Sequence, residues 1–221
     1  MAQHTSPASP RRTREAMVKE TRSALVTTAE RLFAENGVMT VSNRQVSAEA
    51  GLGNNTAVNY HFGTKADLVR AIVVSHQADI ADRRAEQLQR ASGSDIVRDW
   101  VECLVLPTAA HLAALGTPSY YARFSAQLIA EPSLAPIVEE EALGGQTLTD
   151  VLEGLHACLP TMPEQVRIQR GQMSRQLIVH GYAERESALA NRHAAIDWDQ
   201  YATILVDAVT GLWTAVWTQS A

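Results

Sequence analysis

Between two apolar-patterned stretches lies "AGLGNNTAVNYHFGTKADL", residues 50–68, which holds three asparagines, a Tyr-His-Phe triplet and a lysine. These side chains suit recognition better than catalysis. Asn54, Asn55 and Thr56 can donate to and accept from base edges, and asparagine offers a bidentate match to adenine. Tyr60, His61 and Lys65 carry donors suited to phosphate oxygens, and Lys65 stands where a helix begins, with free amides that also favour anions. Gly51 and Gly53 permit a tight turn and a close backbone approach. Two other chemistries remain open for the same residues: Asn-Asn-Thr as a helix-capping loop, and Tyr-His-Phe as a small satellite core.

The flanking sequence predicts how the segment is held. Leu25, Ala29, Leu32 and Phe33 recur at i, i+4, i+7 and i+8, one apolar face of a helix over about 15–36. Asn36-Gly37 ends it, with Gly37 free to take the left-handed conformation. In "VSNRQV", Ser42 and Gln45 form a capping box, flanked by Val41 and Val46 at the staple positions. A short helix runs from there to Ala50-Gly51. A second starts near Asn54 or Asn55 and ends near Phe62. Two short helices around a glycine turn outline a helix-turn-helix. Val58 is the residue expected to pack back on the preceding helix.

Further on, Thr64 and Asp67 cap a helix to about Arg90, followed by helical segments near 95–115, 118–130, 134–158, 163–190 and 198–219. Gly116, Pro118 in a first helical turn, Pro132, Pro136, Gly144-Gly145, Pro160 and Pro163 punctuate them. Pro107 falls inside one pattern, and Asp197 with Gln200 make a last capping pair. No stretch alternates as a strand would, so the fold class is all-α.

Residues 24–68, "ALVTTAERLFAENGVMTVSNRQVSAEAGLGNNTAVNYHFGTKADL", resemble the N-terminal domain of the TetR family of transcriptional regulators. The resemblance implies an N-terminal three-helix helix-turn-helix DNA-binding domain (15–63); the residues before it (1–14), Pro- and Ser-rich and then basic, read as a disordered arm. A larger helical ligand-binding and dimerisation domain (64–221) would follow. It also implies a homodimer that binds a palindromic double-stranded DNA operator and a small-molecule effector that releases it, with repression the usual outcome. Thr56, Asn59, Tyr60, His61 and Lys65 fall where relatives touch DNA, and Arg44 matches a position near phosphate. Against the family pattern, "GLGNNTAV" has one residue more, which leaves the base contact open among Asn54, Asn55 and Thr56.

Charge agrees in direction. The chain of 221 residues carries a net charge of -5, yet residues 1–70 hold nine Lys/Arg against six Asp/Glu. An anionic partner would meet the N-terminal third, and Arg11, Arg12 and Arg14 could reach a minor groove or phosphates. With 46% hydrophobic and 19% charged residues the composition is that of a globular protein. No apolar run reaches membrane length and no export signal is read at the N-terminus, so no membrane partner and a cytoplasmic location are expected. Cys103 and Cys158 give no metal spacing.

For the body, His76, Trp100, Cys103, His111, Tyr120, Tyr121, Phe124 and Gln127 are the polar and aromatic candidates for an effector cavity. In "YATILVDAVTGLWTAVWTQ", Tyr201, Leu205, Ala208, Leu212 and Val216 form a stripe widened by Ile204, Val209, Trp213 and Trp217. A helix apolar over so much of its circumference needs cover on two sides, by its own subunit and by something else, and the resemblance implies that 163–190 and 198–219 make the dimer interface. No Gly-x-Ser-x-Gly elbow, phosphate-cradling glycine loop or His-Glu-x-x-His pair is present. Neither an enzyme nor a cofactor is expected. The alternatives are a helical interaction protein that does not bind DNA, and an activator of the same fold.

Overall fold

A computed structural model describes residues 14–52, 56–191 and 196–217, and every regular element among them is helical. Three helices make the head: α1 (Arg14–Asn36), α2 (Asn43–Glu49) and α3 (Ala57–Phe62). The body comprises α4 (Lys65–Ala91), α5 (Val97–Leu115), α6 (Tyr121–Ala130), α7 (Ala135–Ile137), α8 (Gln146–Ala157), α9 (Glu164–Ala190) and α10 (Trp198–Thr214).

Local signals set most of the boundaries. Ser42 and Gln45, Thr64 and Asp67, and Asp197 and Gln200 each form both halves of a capping box, satisfying amides the helix itself leaves unpaired. Val41 and Val46 are both buried, as a staple requires. Gly37 ends α1 at φ 95°.

Three expectations are corrected. Pro118 lies before α6, not in its first turn, and follows a cis peptide bond. The 134–158 segment is interrupted: a 3-10 turn at Pro132–Leu134 leads into α7, a π-helical turn at Val138–Leu143 follows, and Gly144-Gly145 precede α8. Finally, α10 ends at Thr214, before the expected 219. There Arg170 of α9 donates to the carbonyls of Trp213 (2.7 Å) and Ala215 (2.6 Å), taking up acceptors that a helix end leaves free.

The body packs at close quarters. A Cβ at Gly154 would sit 2.2 Å from the Trp100 ring, so α8 approaches α5 only because this residue is glycine. Gly181 lets the Tyr201 hydroxyl come to 2.6 Å from where a Cβ would sit, between α9 and α10. The buried Glu186 of α9 accepts from the amides of Ala122 and Arg123 and from the Arg123 guanidinium, which fixes α6 to α9. Arg98 of α5 bonds Asp207 of α10, and Arg70 of α4 pairs with Glu140 and Glu141 of the π-helical turn.

Candidate nucleic-acid interface and effector cavity

Helix α3 has two unlike sides. Ala57, Val58 and Phe62 are buried, whereas Asn59 and Thr56 are exposed and Tyr60 is 76% exposed. Burial of Val58 agrees with its expected packing on α2. The supports are specific. Ser47 of α2, fully buried, accepts from the Val58 amide (3.2 Å) while donating to the Asn43 carbonyl (3.0 Å). Asn43 donates from Nδ2 to Asn59 Oδ1 at 2.9 Å. Arg22 of α1 donates to the His61 carbonyl at 2.6 Å and lies 4.1 Å from the centre of the Phe62 ring. A six-residue helix cannot hold itself in water, so these contacts fix its orientation. What it offers outward is Asn59 and Tyr60, with Thr56 at its start and the exposed Arg44 on neighbouring α2.

The other expected contacts are placed as follows. Asn54 and Asn55 lie outside the described residues, as do the turn's Gly53 and Arg11 and Arg12 of the arm. His61 is half-buried, with its ring edge-on to Tyr60. Lys65 departs from expectation: its ammonium donates to the carbonyls of Val38 (2.9 Å) and Met39 (3.3 Å). Partial burial pushes its pKa down. The phosphate donor read from the sequence therefore serves, in this structure, to tie the start of α4 to the loop after α1.

The body holds a cavity of about 180 Å³. Its wall takes Val73, Gln77, Ile80 and Arg84 from α4, Leu104, Thr108 and Leu112 from α5, and Tyr121, Ser125 and Leu128 from α6, with Ile178 and Tyr182 from α9. Of the effector residues expected from sequence, Tyr121 lines it; His76, Trp100, Cys103, His111, Tyr120, Phe124 and Gln127 do not. Trp100 packs on Gly154 and donates to the Ser94 carbonyl. Cys103 is buried and pushed up to about 11, chiefly by desolvation. Tyr120 lies under the Arg123 guanidinium.

The remaining four build the joint between head and body. Phe124 stacks on Phe33 of α1 with ring centroids 6.2 Å apart. Gln127 accepts from the Val38 amide (2.9 Å) and donates to the Ala34 carbonyl (3.2 Å), completing groups at the end of α1. His76 and His111 lie in a hydrogen-bonded chain. Glu30 of α1 contacts His76 Nε2 at 2.9 Å, His76 Nδ1 meets His111 Nε2 at 2.8 Å, and His111 Nδ1 meets Asp79 at 2.6 Å. Burial pushes the His111 pKa down against the opposing pull of Asp79. Tyr121 belongs to both places: its ring stacks on His76 at 3.8 Å and also faces the cavity. Sequence reasoning missed Arg84, although Val73, Gln77, Ile80 and Arg84 fall at i, i+4, i+7 and i+11, the spacing of one helix face.

Residues 25–72, which span the end of α1 through the first turns of α4, match the family model for bacterial regulatory proteins, tetR family. The chain carries a TetR-family N-terminal domain. The chain is also similar to a Pseudomonas putida protein named "Probable HTH-type transcriptional regulator ArpR". The two are 33% identical over 94 residues, 42% of this chain and 41% of the relative. The match thus spans less than half of that protein's length. Over the whole molecule, the fold is similar to the crystal structure of NalD, the secondary repressor of the MexAB-OprM multidrug efflux pump in Pseudomonas aeruginosa. The TM-score is 0.57 at 21% identity, covering 90% of this chain and 98% of NalD. Together these describe a TetR-like all-helical fold with an N-terminal helix-turn-helix domain and a larger helical C-terminal domain. No described helix is long and apolar enough to cross a membrane. No described group of three or more His, Cys, Asp or Glu residues is placed to hold a metal ion.

Two described surfaces bear on assembly. On α10, Leu205 and Trp213 are buried within the protomer along with Ala202, Val206 and Val209. Tyr201 and Leu212 are half-buried, while Ile204 is 55% exposed, Val216 is 94% exposed and Ala208 and Gly211 face out. The stripe read from sequence therefore divides, with Leu205 and Trp213 buried within the protomer and the Trp213 ring edge-on to His156 of α8. Ile168, Met173 and Leu177 of α9 are exposed as well.

Proposed function

We propose that the protein is a DNA-binding transcriptional repressor that grips a palindromic operator as a homodimer and is released by a small molecule bound in the body cavity. The observation that supports it most is α3: a short helix held on its inner side by Val58, Ser47 and Arg22, with Asn59 and Tyr60 turned outward. An exposed tyrosine with no core role, beside polar groups and Arg44, suits a major groove and its phosphates. In this reading Arg44, Tyr60 and His61 reach the backbone, Asn59 and Thr56 stand at base edges, and Asn54 or Asn55 adds to them. Lys65 acts indirectly, by setting where α4 meets the head.

One head neutralises few phosphates, so two must act together at a fixed spacing, about 34 Å or a multiple of it. The exposed Ile204, Ala208 and Gly211 of α10 and Val216 just past its end, with Met173 and Leu177 of α9, are the surface assigned to the partner copy. Helix α4 links the sites. From Lys65, bonded to the head, to Arg84, in the cavity wall, it rises about 28 Å in one rigid element. Tyr121 connects the same cavity to His76 and so to Glu30 of α1. An effector shifts DNA affinity only by its preference between two poses of these helices, typically about 1–3 kcal/mol.

Selection of genomic fragments bound by the full chain tests the reading. Enrichment of a few fragments that share an inverted repeat supports it. Recovery no different from bulk DNA would leave the head without its assigned role.

A further inference from the structure

The cavity contains an unbalanced charge. Arg84 is only 8% exposed, and its Nε is buried with no hydrogen-bond partner. No ion pair or hydrogen bond from its guanidinium to a described residue is present. The groups that act on its charge are the Cys103 thiol and the Tyr121 phenol. Burial raises these to about 11 and about 12, so both are neutral near pH 7. Arginine stays cationic even when buried. Buried charges in proteins are otherwise paired, and here the unpaired one faces a space lined by valine, isoleucine and leucine. Arg175 of α9 lines the same space and has no described ion-pair partner either.

We propose that the effector is a small organic acid, a carboxylate on an apolar body, with its headgroup held by Arg84. This rests on the cavity being the effector site. The guanidinium fork fits a carboxylate through two parallel hydrogen bonds. The hydroxyls of Thr108 and Ser125 and the Gln77 amide, which also donates to the Tyr121 hydroxyl at 3.0 Å, provide the few other polar groups. A single deeply buried cation suits a monoanion better than a phosphate ester, whose second charge would lack an equally buried partner. The volume of about 180 Å³ is below the ~300–1,000 Å³ usual for drug-sized ligands, so the apolar body is short. Sitting beside Tyr121, the bound anion would alter the field next to His76 and the head joint.

The test is calorimetric titration of the full chain with octanoate, benzoate and phenylacetate, each against its primary amide. At least one acid should bind about tenfold or more tightly than its amide, the worth of a charge-assisted pair. Arg84→Met should erase that gap, by weakening the acid far more than the amide, and raise the melting temperature of the ligand-free protein, because an uncompensated buried charge is gone. Arg84→Lys should keep part of the gap. Equal binding of acid and amide, or an acid preference that survives Arg84→Met, overturns the anion and leaves the cavity as a ligand site. If none of the three acids binds, the organic-acid proposal falls, while the selection of genomic fragments decides the regulator reading separately.

Discussion

Tyr60 and Lys65 lie five residues apart and look alike to sequence reasoning, as donors near a helix end, yet the structure gives them opposite surroundings. Tyr60 is exposed and holds nothing in the core, so Tyr60→Ala should change stability by no more than about 0.5 kcal/mol. It should weaken binding to all DNA sequences to a similar degree, as loss of a phosphate contact does; fluorescence anisotropy on matched and scrambled duplexes reads this out. Lys65→Met should behave differently. It strips the donor from the Val38 and Met39 carbonyls, which should cost roughly 1 kcal/mol in urea unfolding and disturb DNA binding only as far as the head shifts. Packing contributes a third case at this scale. Gly154→Ala puts a methyl into the Trp100 ring, and such overpacking costs about 1–3 kcal/mol, measurable as a lower melting temperature without loss of the head's own structure.

At the scale of elements, what was legible in the sequence was whatever neighbours in the chain decide. The three capping boxes and the Val41/Val46 staple involve residues three to five apart, and the helix starts they predict are where the structure has them. The joint was not legible, because Gln127 is 93 residues from Ala34 and His76 is 46 from Glu30. Only packing reveals that polar residues on α4, α5 and α6 turn toward α1 rather than the cavity. Arg84 escaped for the converse reason. Within "ADRRAEQLQR" it reads as one more solvated charge, although it shares a helix face with Val73 and Ile80. The joint has a pH consequence. Burial lowers the pKa of His111, whose charged neighbours are Asp79 and Arg83 with His76 and Tyr121 in contact, and of His156, which packs on Trp213 near Arg167. Above about pH 6.5 folded and unfolded chains both hold these rings neutral. As pH falls below that value the unfolded chain takes up the protons first, so stability should decline. Melting curves between pH 7.5 and 5.5 check this, and His156→Leu should remove part of the slope. A melting temperature that rises on acidification through this range would show the opposite sign.

At the scale of the whole molecule, the account joins a head that offers α3, a cavity whose wall on α4 begins at Val73, about 12 Å along that helix from Lys65, and an apolar surface on α9 and α10 for a second copy. Sequence periodicity located that surface only in part. It showed that α10 is apolar over most of its circumference, but which residues the chain's own core would claim depended on α5 and α9. If the surface pairs, Ile204→Glu should turn a dimer into a monomer in sedimentation while each protomer's helicity is retained, since Ile204 is exposed in the protomer. The monomer should then bind operator far more weakly than the wild type. The most direct measurement of the central claim is the salt dependence of binding to a fragment recovered by genomic selection, compared with a scrambled duplex of equal length. The account predicts preference for the selected fragment and a linear fall of log affinity with log salt over roughly 50–200 mM, steep enough for several phosphates, with the preference reduced when Asn59 and Tyr60 are both replaced by alanine. Equal affinity for the two duplexes, or a preference untouched by the double replacement, would contradict it.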